Sequence, residues 1–255
     1  IKLMNPLGDE LSSMRTTLLP GMLQILETNM NRNHNAARLF EIGKVYLPKS
    51  LPLKELPQEN TRLMIAAYGA EETFFTLKTA LETVFDCLRV SAEYLTCDEE
   101  PYLHPGISAS VVINGKKVGG IGQIHPTVQQ NFGLTQKVYT AEIDLDAILA
   151  MPKRSEQYQP FPKYPSISRD LALVCDERVK VGEMMQCIRQ TAKLLEDVSL
   201  FDIYRGVQVG LNKKSVAFSL TFRASDRTLK DAEVEAQVEK VIRALKENFN
   251  AVLRT

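Results

Sequence analysis

The sequence predicts an α+β protein made of two domains, each built on an antiparallel sheet. A proline-rich segment, Met151–Lys163, divides the 255 residues into pieces of about 150 and 90. After it, strand-like and helix-like segments follow in the order βαββαβ, which is typical of ferredoxin-like domains. Before it, two strand-like segments meet at Asn114-Gly115, a strong hairpin signal. The predicted layout is therefore a domain over 1–150, a linker over 151–163 and a domain over 164–255.

The first domain begins with a helix in "TTLLPGMLQILETNMNR", which has a Thr cap and Pro20 in its first turn. Leu23, Leu26 and Met30 form the apolar side of this helix. The next predicted elements are listed in chain order: strand "ARLFEIGKVYLP", helix "ETFFTLKTALETVFDCL", hairpin "ISASVVINGKKVGGIGQI" and strand "VYTAEIDLDAIL". The hairpin and the flanking strands indicate an antiparallel sheet.

The second domain begins with a strand and then alternates as the βαββαβ order requires. Its predicted elements are strand Arg169–Asp176, helix Val181–Leu195, strand Val198–Tyr204, strand Lys213–Ala224, a helix over 228–249 and a last strand in "NAVLRT". In the second helix we expect Thr228 to be the cap and Asp231 to hold the capping-box position. Both helices then cover one face of a four-stranded sheet, and the opposite face is called the open face.

The alternation of side chains along the strands predicts which residues lie on the open face. The strand "LFDIYRG" points Phe201 and Ile203 at the helices and Asp202 and Tyr204 away from them. The full predicted open face consists of Ala172, Asp202, Tyr204, Ser215, Ala217, Ser219 and Thr221. Leu200 would also point to this side unless a bulge intervenes. A ring to stack on and polar groups for base edges suit a nucleobase, although a plain solvated face has the same pattern.

Basic residues around this face are candidates for phosphate contacts. They are Arg169, Arg205, Lys213, Lys214, Arg223 and Arg227. The whole chain has no net charge, but from Lys163 onward there are 16 Lys and Arg against 13 Asp and Glu. This weak asymmetry is compatible with RNA binding by the second domain and is also compatible with chance.

Catalytic and metal-binding motifs are not found in the sequence. The three histidines and the cysteines lack metal-ligand spacing, and "GGIGQ" has no Walker lysine. Cys87, Cys97, Cys175 and Cys187 are expected to be free thiols in a reducing cytoplasm. No apolar run reaches the ~18–20 residues of a membrane helix, and no leader peptide is recognised. Because the chain starts without Met, we expect it to be a piece of a longer protein.

Long motifs resemble the bacterial phenylalanyl-tRNA synthetase β chain family over essentially the whole chain. "KYPSISRDLALVCDE", "LFDIYRG" and "NKKSVAFSLTFRASDRTLKDAEV" are similar to the C-terminal anticodon-binding domain of that family. "NPLGDELSSMRTTLLPGML", "RLFEIGKVY" and "HPGISASVVINGKKVGGIGQIHP" are similar to the domain just before it.

The resemblance implies that the first domain has a class II synthetase fold without catalysis. Such folds carry an Arg-x-Glu strand and a glycine-rich strand ending in Arg, both for ATP. Here "LFEIGKV" has Glu41 but no Arg two positions earlier, and no glycine-rich strand ends in Arg. The family implies a catalytic α subunit as partner in an (αβ)2 heterotetramer. ATP and Mg²⁺ would serve the whole enzyme on α, with no cofactor in this piece.

For the second domain, the resemblance implies tRNA(Phe) binding through the anticodon. The family positions that meet the anticodon fall on Ala172, Asp202, Tyr204 and Ser215. The implied roles are stacking by Tyr204, hydrogen bonding by Asp202 and Ser215, and space left by Ala172.

Two other readings of the βαββαβ order stay open at this point. One is an amino-acid-binding regulatory module, which usually has a glycine-rich first loop, whereas "DERVKVGEM" offers only Gly182. The other is a stand-alone RNA-binding adaptor.

Overall fold

The structure is a computed structural model that describes residues 1–8, 12–97, 99–155, 158 and 160–254. The chain divides into two compact units, unit 1 over 1–157 and unit 2 over 158–255. This division falls inside the predicted linker, of which Glu156, Gln157 and Gln159 lie outside the described residues. In the described part of the chain no helix is both long and apolar enough to cross a membrane.

Unit 1 is a six-stranded antiparallel sheet with helices on both faces. Its elements are α1 (Leu19–Asn31), β1 (Ala37–Leu47), β2 (Gln58–Tyr68), α2 (Phe74–Cys87), β3 (Ala92–Thr96), β4 (Leu103–Ile113), β5 (Lys116–Ile124), α3 (Pro126–Asn131), β6 (Val138–Asp144) and α4 (Leu145–Leu149). The strand order is β1-β2-β6-β5-β4-β3, and every adjacent pair is antiparallel.

Alternation along the strands of unit 1 supplies two separate cores. On one face, Met64 and Tyr68 of β2 pack with the buried side of α1. On the other face, Ala67 of β2 packs with α2 and with Ile148 of α4. Because helices cover both faces, what stays exposed in unit 1 includes its edge strand β1, which pairs on one side with β2.

The predicted elements of unit 1 are present, with several differences. The hairpin is confirmed, since Asn114 and Gly115 both have positive φ angles, of 50° and 74°. Strands β2 and β3 and the short helix α3 were not predicted. The predicted strand over "VYTAEIDLDAIL" ends at Asp144, because its side chain accepts from the Ala147 N–H at 2.9 Å and starts α4.

Unit 2 has the predicted βαββαβ order, so the ferredoxin-like fold is confirmed. Its elements are β7 (Ile167–Asp176), α5 (Val181–Thr191), β8 (Leu195–Tyr204), β9 (Lys213–Phe222), α6 (Asp231–Phe249) and β10 (Val252–Leu253), with a 3₁₀ helix at Val207–Val209. The strand order is β10-β7-β9-β8, with antiparallel pairs throughout.

The core of unit 2 lies on one side of its sheet. The buried residues include Leu171 and Leu173 of β7 and the predicted inward set of β9: Val216, Phe218, Leu220 and Phe222. Met184 and Ile188 of α5, and Val234, Val241 and Leu245 of α6, fill the helical side of this core. Both long helices therefore stabilise the same face, and the open face lies opposite them.

Two predicted helix ends in unit 2 are wrong. Helix α6 begins at Asp231 with Lys230 as N-cap, and the Glu233 carboxylate, three residues on, accepts from the Lys230 N–H at 3.0 Å. Thr228 is therefore not the cap, and Asp231 is the first helical residue. Helix α5 ends at Thr191 because the chain turns at Leu194, which has a φ of 64°.

Candidate nucleic-acid interface

The four residues predicted at the centre of the open face lie in two adjacent cross-strand rows. In one row, Ala172 of β7 pairs with Ala217 of β9, which pairs with Asp202 of β8. In the next row, Ser215 of β9 pairs with Tyr204 of β8. Cross-strand partners share a face, so the sheet brings all four side chains together on the side opposite the helices.

A β-bulge explains how Asp202 and Tyr204 reach this face. Leu200 pairs with Phe218, Asp202 pairs with Ala217, and the register shifts between them. Leu200 therefore lies on the helix side, and Phe201 is the extra residue of the bulge. The prediction that Phe201 shares the inward face with Ile203 is wrong, since Phe201 is 57% exposed. The intervening bulge that the sequence raised as a possibility is present.

The Tyr204 ring is enclosed on two sides. Gly206 lies against its hydroxyl end, where an added Cβ would approach the hydroxyl oxygen to 2.3 Å, so a side chain here would displace the ring. The guanidinium carbon of Arg254 lies over the ring, 5.1 Å from its centroid, as in a cation–π contact. Tyr204 as a whole is 36% exposed.

Arg254 is a residue of this face that sequence reasoning missed. Its backbone N–H donates to the Ala172 carbonyl at 3.0 Å, which continues the pairing of β10 with β7. Its guanidinium nevertheless reaches the Tyr204 ring on β8, at the opposite edge of the sheet. The side chain therefore extends over β7 and β9, where Ala172 and Ala217 leave room for it. The signal in the sequence was the alternation of the last strand, which puts Arg254 on the same face as Val252.

Accessibility differs sharply among the four predicted residues. Asp202 is exposed and Ala172 is half-buried. Ser215 has only 3% of its surface exposed, and Ala217 has 8%. Ser215 can therefore contact a base only if the side chains that cover it move.

Two of the predicted phosphate contacts do not lie on the open face. Arg169 shares the parity of Leu171 and pairs with Asp231 of α6 at 2.6 Å, on the helix side. Lys214 pairs across from Cys175 on the helix side, is 6% exposed and donates to the Glu177 carbonyl at 2.9 Å. Removing Lys214 is thus expected to disturb folding, and its burial argues against the predicted phosphate contact.

Arg223 is another predicted phosphate contact, and its guanidinium is engaged within unit 2. It contacts both oxygens of Glu196 at 2.9 and 3.0 Å and donates to the Tyr164 carbonyl at 2.6 Å. This arrangement anchors the start of unit 2 to the end of β9 and leaves little of the guanidinium free to bind a phosphate.

Among the remaining predicted cations, Arg205 and Arg227 are exposed but paired. Arg205, directly after Tyr204, contacts Glu177 at 2.9 Å. Arg227 contacts Glu233 at the start of α6 at 2.6 Å. Exposed pairs of this kind are weak, so Arg205 remains the better placed of the two for a phosphate near Tyr204.

The open face is acidic in its strand residues. Its parity places four carboxylates there, Asp170, Asp176, Asp197 and Asp202. Among the described strand residues and the residue that follows β10, the cations on this face are Lys213 and Arg254. A surface of this kind favours hydrogen bonds and stacking with bases over tight binding of the phosphate backbone.

In unit 1, the glutamate that stands at the catalytic-motif position is already engaged. The Glu41 carboxylate pairs with Arg15 at 2.7 Å, and Arg15 also donates to the Lys44 carbonyl at 2.8 Å. On the same face of the sheet, the buried Glu142 carboxylate accepts from the hydroxyl of Thr17 and from the Leu18 N–H. Within the described residues no three His, Cys, Asp or Glu side chains are placed to share a metal ion.

An apolar cleft of about 510 Å³ lies beside the edge strand of unit 1. Phe40 and Ile42 of β1 are 73% and 56% exposed at this cleft. The rest of its lining is mostly aliphatic and consists of Arg38, Leu39, Leu63, Ile65, Ala80, Val84, Leu88 and Leu145. Exposed apolar surface beside an edge strand is typical of a protein interface.

Comparison with known proteins gives a consistent result for both units. The family described as "Phenylalanyl tRNA synthetase beta chain CLM domain" matches residues 1–145, and "Ferredoxin-fold anticodon binding domain" matches residues 162–254. The chain is 42% identical to the phenylalanine–tRNA ligase beta subunit of Clostridium tetani and 40% identical to that of Clostridium acetobutylicum. Each alignment covers 100% of this chain and 32% of the relative, so the chain spans about a third of their length.

A more distant relative and a solved structure extend the comparison. The beta subunit of Bacillus subtilis is 34% identical over 98% of this chain and 32% of its own length. A pyrrolysyl tRNA synthetase from Desulfitobacterium hafniense superposes with a TM-score of 0.45 at 18% identity, covering 53% of this chain and 48% of that one.

Proposed function

Because the chain belongs to the phenylalanyl-tRNA synthetase beta chain family, we propose that it is the C-terminal part of a phenylalanine–tRNA ligase β subunit. In this proposal, unit 2 binds the anticodon of tRNA(Phe) on the open face, and unit 1 supports the catalytic α subunit. The complex is an (αβ)2 heterotetramer that works in the cytoplasm, where translation occurs.

The RNA-binding part of the proposal depends above all on the joint position of Asp202 and Tyr204. The bulge in β8 turns both onto the sheet face opposite the core. Tyr204 offers a ring on which a base can stack, and the exposed Asp202 carboxylate can accept hydrogen bonds from a base edge. Neither group contributes to the core of unit 2, and this supports a role for them in binding.

Unit 1 is proposed to have no catalytic step of its own. Leu39 stands where the ATP-binding motif of class II folds has Arg, and the Glu41 carboxylate is bound to Arg15. The residues present thus do not fit an ATP and Mg²⁺ site, which we assign to the α subunit. The cleft at Phe40 and Ile42 is the surface we propose for the α subunit.

A binding assay with the purified chain tests the RNA proposal. We expect tRNA(Phe) to bind and tRNA(Phe) lacking its anticodon arm to bind much more weakly. Equal binding of the two RNAs would contradict the proposal. Calorimetry with phenylalanine tests the alternative of an amino-acid-binding regulatory module, which would release heat with phenylalanine and none with RNA.

An exchange assay tests the absence of catalysis. The chain alone is expected to give no phenylalanine-dependent exchange between ATP and pyrophosphate. Activity is expected after the α subunit and the full-length β subunit are combined. Exchange by the chain alone would overturn the assignment of unit 1.

A further inference from the structure

Arg254 holds a position that the anticodon-binding proposal alone does not explain. Its guanidinium lies over the ring on which a base is proposed to stack, so a base can use that ring face only after Arg254 moves. The hydroxyl end of the same ring is occupied by Gly206. Ser215, directly opposite Tyr204, is 3% exposed. This part of the open face is therefore closed to a base in the structure.

The contacts of Arg254 allow its side chain to move while its backbone stays in place. The backbone is held by pairing of β10 with β7 and by the Arg254 N–H bond to Ala172. The exposed guanidinium, by contrast, has the ring contact and a long, 3.5 Å hydrogen bond to Gln208. Exposed cation–π contacts are weaker than base stacking on an aromatic ring, so an incoming base can displace the guanidinium.

The path of the side chain determines where the guanidinium remains after displacement. Its backbone lies beside Ala172, and the small side chains of Ala172 and Ala217, paired in one row, leave space above the sheet. A guanidinium is planar and stacks on bases as well as on tyrosine rings. An outward shift by about the thickness of a base would place it on the outer face of a base that lies on Tyr204.

We propose that Arg254 is a further base-contacting residue of the open face, which lifts from Tyr204 to admit a nucleobase and then stacks on its other side. The inference depends on the proposed anticodon function, and it adds a residue, an opening movement and a sandwich geometry to that site. Ala172 and Ala217 then serve the arginine as well as the base, since a longer side chain in either position would obstruct its path.

The test compares two substitutions of Arg254 in the 255-residue chain. Arg254→Ala removes both the positive charge and the planar guanidinium, and Arg254→Lys keeps the charge but lacks a planar group. We expect both variants to bind an RNA hairpin carrying the tRNA(Phe) anticodon about 3- to 30-fold more weakly than the unmodified chain. Lys240→Ala removes an exposed cation from α6, on the other side of the sheet, and is expected to bind unchanged.

A fluorescent base gives a second readout that does not depend on affinity. With 2-aminopurine in the hairpin loop, stacking quenches emission, and the quenching at saturating protein should be smaller for both Arg254 variants. Unchanged or tighter binding by Arg254→Ala would overturn the inference, because the arginine would then only cover the ring. Full binding by Arg254→Lys would also overturn it, because charge alone would suffice. If Tyr204→Ala also binds normally, the anticodon proposal itself fails; if only the Arg254 variants bind normally, the sandwich alone fails.

Discussion

The six-stranded sheet of unit 1 has helices on both faces, whereas the four-stranded sheet of unit 2 has both long helices on one face. The two units therefore leave different surfaces free for partners. Unit 1 exposes apolar side chains, Phe40 and Ile42, beside an edge strand. Unit 2 exposes a carboxylate and a half-covered ring on the pleated surface of Asp202 and Tyr204. The first surface suits another protein and the second suits a base.

The largest expected effect is on the proposed protein interface of unit 1. Phe40→Asp would place an unpaired carboxylate in a surface that becomes buried on association, and such a charge is expensive to desolvate. We expect association with the α subunit to weaken by more than about 100-fold, measured by sedimentation or light scattering.

Two controls make this result specific to the cleft. Phe75→Asp changes another exposed phenylalanine, at the start of α2 and outside the cleft, and is expected to have a smaller effect. Binding of the anticodon hairpin by Phe40→Asp should be unaltered. If both phenylalanine variants associate normally, the cleft is not the α-subunit surface.

The next largest effect is on the open face of unit 2. Tyr204→Ala should weaken binding of the anticodon hairpin by about 5- to 150-fold, since stacking of one base on a ring is worth ~1–3 kcal/mol. Tyr204→Phe should keep most of the affinity, because the ring and not the hydroxyl stacks. Titration of a labelled hairpin measures both variants.

Tyr158→Ala is the matched control for Tyr204→Ala. Tyr158 is 84% exposed near the start of unit 2, so its loss removes an accessible ring without touching the open face. Circular dichroism and thermal unfolding establish that the folds are intact. Normal binding by a folded Tyr204→Ala variant would mean that the open face is not the RNA surface.

A smaller effect on affinity, but a clear one on base choice, is expected for Asp202. Asp202→Asn keeps the shape and replaces one acceptor oxygen by a donor group, so base edges that offer donors lose a partner. We expect the preference for the cognate anticodon over altered anticodons to fall by about 5- to 150-fold, as for one base contact of ~1–3 kcal/mol. Equal loss of affinity for all anticodons would instead indicate that Asp202 has a general structural role.

The sequence predicts local features of this molecule better than features that depend on distant partners. The Asn114-Gly115 turn and the inward set of β9 depend on near neighbours and are confirmed. Strand β2 was not predicted, because its place in the sheet depends on pairing with β1 and with β6, which is distant in the chain. The start of α1 likewise depends on Glu142, more than 100 positions away in the chain.

The candidate site shows the same limit. Asp202 and Tyr204 could be predicted because a single strand carries both, and Leu200 already indicated a bulge. The ion pairs of Arg169 and Arg223 could not be predicted, since they depend on Asp231 of α6 and on Glu196 of β8. Arg254 was missed because its contact with Tyr204 extends across the whole sheet, from β10 to β8.

The smallest expected effect concerns the carboxylates that bind the first backbone N–H groups of a helix in each unit. In unit 1, α1 starts on the buried Glu142, whereas in unit 2, α6 starts on the half-buried Glu233. The Lys230 N–H and then the Arg227 guanidinium lower the pKa of Glu233 below its usual value. A lowered folded-state pKa means that the carboxylate stabilises the fold above its usual pKa of ~4.3, and that this contribution is lost as the pH falls through the folded value.

Glu233→Gln should therefore lower the melting temperature at pH 7 and have progressively less effect on acidification below pH ~4. Glu239→Gln, an exposed carboxylate in the middle of α6, is the control without a helix-end partner. A difference from the unmodified chain that is the same at pH 7 and at pH ~3 would show that the charge of Glu233 does not stabilise the start of α6.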